Sequence, residues 1–237
     1  QADAPQAYTQ AELQGTETWV ELLKEVSPGV KRAAFLFNPD TAPHGYYLRS
    51  FTAGARGLGI EPVEARVRSE AEIERALTDL ALTRDSGFIV MPDIYLATRE
   101  VFNVVIELAA RHRLPAVYPY RYFAAAGGLV SYGVDTAAIW ANAPSYVDRI
   151  LKGAKPADLP VQLPTRFEFA INRKTAADLG ITFPPSFELR ADEVPQQPEH
   201  ARREHAGDNY CNRYSQCVHL TVLRSRSAAI RIGNGGR

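Results

Sequence analysis

The sequence predicts an α/β fold, a parallel sheet flanked by helices on both faces. Three observations lead there. Short continuous apolar runs, such as Ala33-Ala34-Phe35-Leu36-Phe37 and Gly87 to Met91, have the character of strands buried on both faces. Between them lie longer stretches with apolar residues at helical spacing. The two kinds alternate at the spacing of βαβ units, whose right-handed crossovers make neighbouring strands parallel.

In chain order, Thr18 to Val26 reads as a helix with Trp19, Leu22, Leu23 and Val26 on one face. Thr18 and Glu21 have capping-box spacing, and Ser27-Pro28-Gly29 ends the helix. A strand over 33–37 follows, then a helix over 45–58 closed by Gly59. Ile60 to Val67 is the second strand. Ser69 and Glu72 open a helix that turns Ile73, Leu77 and Leu80 inward. Gly87 to Met91 is the third strand, and Thr98 to Arg111 a helix with Val101, Val104, Val105 and Leu108 on its buried side. Pro115 to Tyr118 and Leu129 to Tyr132 are the fourth and fifth strands. Thr136 to Leu151 is helical, and Pro144 inside it removes the hydrogen bond to the Trp140 carbonyl, which predicts a kink or break. After a Pro-rich connection, Phe167 to Ile171 alternates as a strand, and Asn172 caps a short helix that stops at Gly180. These last elements form no further βαβ unit and are expected in a second layer or as partial second-lobe elements.

The organisation read from this pattern is an unstructured or hinge-like segment over 1–15, an α/β lobe over 16–135 and further elements over 136–195. A polar tail over 196–237, with seven Arg, three acids and no Lys, is expected to be disordered. Hydrophobic residues make up 46% of the chain, enough for a packed core. Lys+Arg and Asp+Glu each number 27, and this balance argues against a nucleic-acid surface. No apolar run reaches the ~18 residues of a membrane span, and the first residues lack the pattern of a secretory signal. Cys211 and Cys217 have the spacing of a small disulfide loop, and His205 and His219 beside them make no specific zinc framework, so no metal is expected.

In an open parallel sheet, ligands bind outside the carboxyl ends of the strands. Four such ends carry polar or aromatic groups: Asn38-Pro39-Asp40, Pro92-Asp93-Ile94-Tyr95, Tyr118-Pro119-Tyr120-Arg121-Tyr122 and Tyr132-Gly133-Val134-Asp135. From these, Asn38, Asp93, Tyr95, Tyr118, Arg121, Tyr132, Gly133 and Asp135 are the candidate ligand-binding residues. The mixture suits a small zwitterion: a carboxylate for an ammonium, a guanidinium for a carboxyl, rings for the apolar part. Asp and Asn at strand ends also cap the next helix, and Pro-flanked tyrosines also close the end of a sheet. No nucleophile elbow, phosphate loop or dinucleotide fingerprint is present, so neither catalysis nor a cofactor is expected. Asp93 and Asp135 are the carboxylate pair that the strand ends could bring together for acid–base work.

Trp19-Val20-Glu21-Leu22-Leu23-Lys24-Glu25 followed by Phe35-Leu36-Phe37-Asn38-Pro39 resembles the start of the second lobe in ABC transporter substrate-binding proteins of the tryptophan/tyrosine type. The likeness continues through 109–119, Gly127-Gly128-Leu129-Val130-Ser131-Tyr132-Gly133, residues 146–162 and 167–194. It implies one lobe of a type I periplasmic-binding-protein fold, a small-molecule ligand, an ABC permease as partner, a periplasmic or extracytoplasmic location and no catalysis. It also implies an export signal and most of a first lobe, which the sequence does not display, so weak binding and self-association through an exposed lobe face are expected. A repressor-type effector domain and a nonfunctional truncated fragment are the alternatives; the first would need a DNA-binding helix-turn-helix. A flavodoxin-like enzyme would need a phosphate-cradling loop after the first strand, where Asn38-Pro39-Asp40-Thr41-Ala42-Pro43 stands instead.

Overall fold

The computed structural model describes residues 16–41, 44–160, 164 and 166–193. The expectations for 1–15 and for the tail with its two cysteines lie outside the described residues.

A helix over 16–26 (α1) leads into β1 (Arg32–Phe37), α2 (His44–Gly57), β2 (Glu61–Arg66), α3 (Glu70–Ala81), β3 (Ser86–Val90), α4 (Arg99–Arg111), β4 (Ala116–Tyr118), α5 (Arg121–Ala126) and β5 (Val130–Val134). Then come α6 (Thr136–Leu151), a 3-10 turn at Pro156–Asp158, β6 (Phe167–Ile171), α7 (Arg173–Leu179), α8 (Pro185–Arg190) and β7 (Asp192–Glu193). The strands form one sheet in the order β2-β1-β3-β4-β5-β6-β7. The first five are mutually parallel, as the βαβ rhythm requires. β6 pairs with β5 antiparallel, with Val130 opposite Ile171 and Val134 opposite Phe167, so this strand extends the same sheet and starts no second layer.

Strand side chains alternate between two cores. Phe35, Phe37, Ile89, Met91, Val117 and Val130 pack beneath α1, α2, α7 and α8. Ala34, Leu36, Phe88, Val90, Ala116 and Tyr118 pack beneath α3, α4 and α5. Burial on both faces is why these strands read as unbroken apolar runs. β2 lies on the edge, half exposed, where Pro62 removes no ladder bond from a central strand.

Several local signals act as expected. The Ser69 hydroxyl accepts from the Glu72 N–H at 3.3 Å, and the Glu72 carboxylate accepts from the Arg68 N–H at 2.7 Å. Asn172 accepts from the Thr175 N–H at 3.0 Å, and its amide donates to the Ala124 carbonyl at 2.9 Å, tying α7 to α5. One expectation fails: Thr18 does not open a helix, because Thr16 is already helical and fully buried. Of the kink or break expected at Pro144, the break is absent, and α6 runs continuously through it. No residue of that helix is buried, so water can take the freed carbonyl.

α6 is unusual in a second way. Ile139, Trp140, Val147, Ile150 and Leu151 fall on one face at helical spacing, yet all are exposed, Trp140 by 68% and Leu151 by 81%. Among the described residues, nothing covers this stripe.

Candidate functional site

Because β1, β3, β4 and β5 run in parallel, their carboxyl ends open on one edge of the sheet. β6 runs the opposite way, so its first residues reach that edge too. The loops there are bonded to one another. Asp93, after β3, accepts the hydroxyl hydrogen of Thr41, after β1. Arg121, after β4, pairs with Glu168 of β6 at 3.1 Å. Asp135, after β5, lies 3.6 Å from Arg166, and its N–H donates to the Arg166 carbonyl at 3.0 Å.

The sequence-predicted residues divide by what their side chains do. Asn38 is buried, and its side-chain oxygen accepts from the Asp40 N–H at 2.9 Å, shaping the turn after β1. Asp40 is exposed and pairs with Arg68 at 2.7 Å, which raises the guanidinium pKa. Asp93 is 3% exposed and accepts from the backbone N–H groups of Tyr95 and Leu96 at 2.8 and 3.0 Å. Asp135 is also buried and caps α6 by accepting from the Ala138 N–H at 2.9 Å. Each of these two carboxylates is engaged by its own part of the rim, Asp93 by Thr41 and two N–H groups, Asp135 by Ala138 and Arg166.

Tyr95 is half-buried; burial, then the carboxylates of Glu70, Glu72 and Asp93, push its phenol up. Tyr132 is half-buried and stacks on Phe167 at 5.8 Å between ring centroids. Its carbonyl accepts from the Trp19 indole N–H at 2.6 Å, so α1 holds the main chain beneath this ring pair. Gly133 is a position of close approach: a Cβ there would land on the Pro119 carbonyl.

Tyr118 departs from the expectation. Its ring is 1% exposed and packs against Phe88 and Phe123, at 6.1 and 5.1 Å, so it belongs to the core and does not face the rim. Complete burial pushes its phenol far above the usual range. β4 alternates like every strand here: Val117 turns to one core, Tyr118 to the other. Tyr120 and Tyr122, half-buried and stacked at 5.4 Å, stand nearer the surface on either side of Arg121.

The family model described as ABC transporter substrate binding protein matches residues 11–195. The chain belongs to this family. Two solved structures are similar to it. A conserved domain protein from Vibrio cholerae has 29% identity and a TM-score of 0.68, over 75% of this chain and 59% of its own length. An ABC domain from Streptococcus pneumonia, solved in complex with L-Trp, has 28% identity and a TM-score of 0.68, over 76% of this chain and 60% of its own. A curated relative, a Tyrosine-binding protein from Clostridioides difficile, is 20% identical over 162 residues, 68% of this chain and 46% of its own length. The chain thus spans about half to three-fifths of the relatives it matches. Among the described residues, no helix is long and apolar enough to cross a membrane.

In this substrate-binding family member, two rim residues escaped the sequence reading. Glu168 and Phe167 open β6, and the rule of carboxyl ends does not look at a strand that arrives antiparallel. The signal available was the strand itself, whose alternation places Phe167 and Phe169 on one side and Glu168 on the other. Asp93→Ala leaves the buried Leu96 N–H, the half-buried Tyr95 N–H and Thr41 without their acceptor, and is expected to lower the unfolding free energy by about 2 kcal/mol. Urea unfolding of this variant against the unaltered chain checks it; an unchanged midpoint would mean that Asp93 does not hold the loops together.

Proposed function

We propose that this chain is the ligand-gripping lobe of a solute-binding component of an ABC importer, working outside the cytoplasmic membrane. It takes a small molecule, an aromatic amino acid, at the carboxyl-end rim and passes it to an ABC permease. The reading is of binding without catalysis. The observation that carries it is the bonded rim itself, where half-exposed rings and an accessible ion pair stand on loops fixed by buried Asn38, Asp93 and Asp135. Fixed loops with a few available groups are what a specific small-molecule site needs. Of the candidate residues, Tyr95, Arg121, Tyr132 and Gly133 stand where a ligand would touch them. Asn38, Asp93 and Asp135 set the shape of the floor. The aromatic ligand is supported by the L-Trp complex of the similar domain and by the name of the tyrosine-binding relative.

One rim covers one side of a ligand, while a tight small-molecule site buries most of it. L-Trp or L-Tyr is therefore expected to bind this chain with a Kd of about 1 mM. Titration calorimetry with L-Trp, L-Tyr and L-arabinose measures this. A micromolar Kd would contradict a one-sided site, and a preference for the sugar would contradict the proposed ligand.

The stripe on α6 supports self-association of this chain. An apolar face of this kind, left in water, favours pairing with another. Sedimentation velocity should show a weight-average coefficient that rises with concentration, and Val147→Asp should suppress the rise. A single monomer boundary at every concentration would contradict it.

A further inference from the structure

We propose that Arg121 and Glu168 form a clamp for the charged head group of the ligand, with Arg121 taking an α-carboxylate and Glu168 an α-ammonium. This rests on reading the rim as a solute site, and it names the part of the substrate held by charge.

Among the described residues, the ion pairs that join one rim loop to another are Arg68–Asp40, Arg166–Asp135 and Arg121–Glu168, and they differ in accessibility. Arg68 and Asp40 are 54% and 61% exposed, so water screens them. In the Arg166–Asp135 pair the carboxylate is 7% exposed, caps α6, and sits 3.6 Å from its partner. Arg121 and Glu168 are 41% and 23% exposed at 3.1 Å, sheltered enough to interact firmly and open enough to be reached.

One hydrogen bond joins them, from Arg121 Nη1 to Glu168 Oε1. A guanidinium offers a fork of donors and a carboxylate two acceptor oxygens, so each keeps capacity for a second partner. An amino-acid head group carries the same two charges in complementary order. Its entry converts one ion pair into two and leaves no charge uncompensated, which matters where water is partly excluded.

The backbone fixes this place. Glu168 lies opposite Gly133 in the β5–β6 register. The Pro119 carbonyl, two residues before Arg121, fills the space that a side chain at Gly133 would take. This close approach sets where Arg121 emerges beside Glu168.

The test combines ligand analogues with variants, by NMR titration of the full chain with L-tryptophan, L-tryptophanamide, which lacks the carboxylate, and N-acetyl-L-tryptophan, which lacks the ammonium. Each analogue is expected to bind the unaltered chain about tenfold more weakly than L-tryptophan. Glu168→Gln should weaken L-tryptophan by a similar factor and leave N-acetyl-L-tryptophan unchanged. Arg121→Gln should weaken L-tryptophan and leave the amide unchanged. A merely structural pair would instead lower all three affinities together, or none, and either result overturns the clamp while the solute-binding reading stands. Preference of the unaltered chain for a neutral sugar overturns the clamp together with the amino-acid ligand and leaves the solute-binding reading standing. Binding of neither amino acids nor sugars overturns both.

Discussion

The rim depends on how closely β4 fits between its neighbours. This strand is three residues long and shares two registered pairs with each side, Phe88 with Ala116 and Ile89 with Val117, then Val117 with Val130 and Tyr118 with Ser131. So short a strand is located by contact as much as by its ladder. A Cβ at Gly128 would stand 2.7 Å from the Tyr118 ring, and one at Gly133 would stand 1.8 Å from the Pro119 carbonyl oxygen. Both glycines lie on the β5 side, so β4 and β5 approach to a distance no larger residue permits. That approach places the exit of β4 directly beside the exit of β5, and Arg121 within reach of Glu168.

From this fit follows a division of labour among polar groups. Buried acceptors at the strand ends are consumed internally: Asn38 by its own turn, Asp93 by two backbone donors and Thr41, Asp135 by the start of α6. A buried carboxylate is stable only when so compensated, which makes these residues parts of the frame. Tyr95, Arg121 and Tyr132, the candidate ligand contacts, are half-exposed and stand on that frame. Trp19 extends the same logic from below, bonding the Tyr132 carbonyl while its ring stacks on Tyr47 at 6.3 Å. A site assembled on braced loops loses little order on binding, the condition under which a few contacts can be selective.

Most of the fold was legible because it is written in long periodic segments. The apolar runs at β1 and β3 and the stripes of α3 and α4 each repeat one signal several times. α5 and α8 were not, because six residues make less than two turns and show no period. The Thr18 signal misled because Thr-x-x-Glu spacing also arises inside a helix that has already begun. The rim was legible as a place, since parallel strands deliver their exits to one edge. The contacts of its individual side chains were not. Tyr118 sits at the last position of a strand covered on both faces, so alternation turned it inward. Gly133 drew notice as a ligand neighbour when its stronger constraint is the Pro119 carbonyl. The resemblance carried in 19–25, 35–39, 109–119, 127–133, 146–162 and 167–194 named the family that the match over 11–195 shows.

Whether a ligand seats on this edge is decided most directly by residue-resolved amide shifts as L-tryptophan is added to the chain. Shifts are expected to concentrate at 38–41, 93–95, 120–122, 132–135 and 166–168. A response concentrated instead at the opposite edge, around Lys31, Asp85 and Arg113, or along α6, would contradict the account.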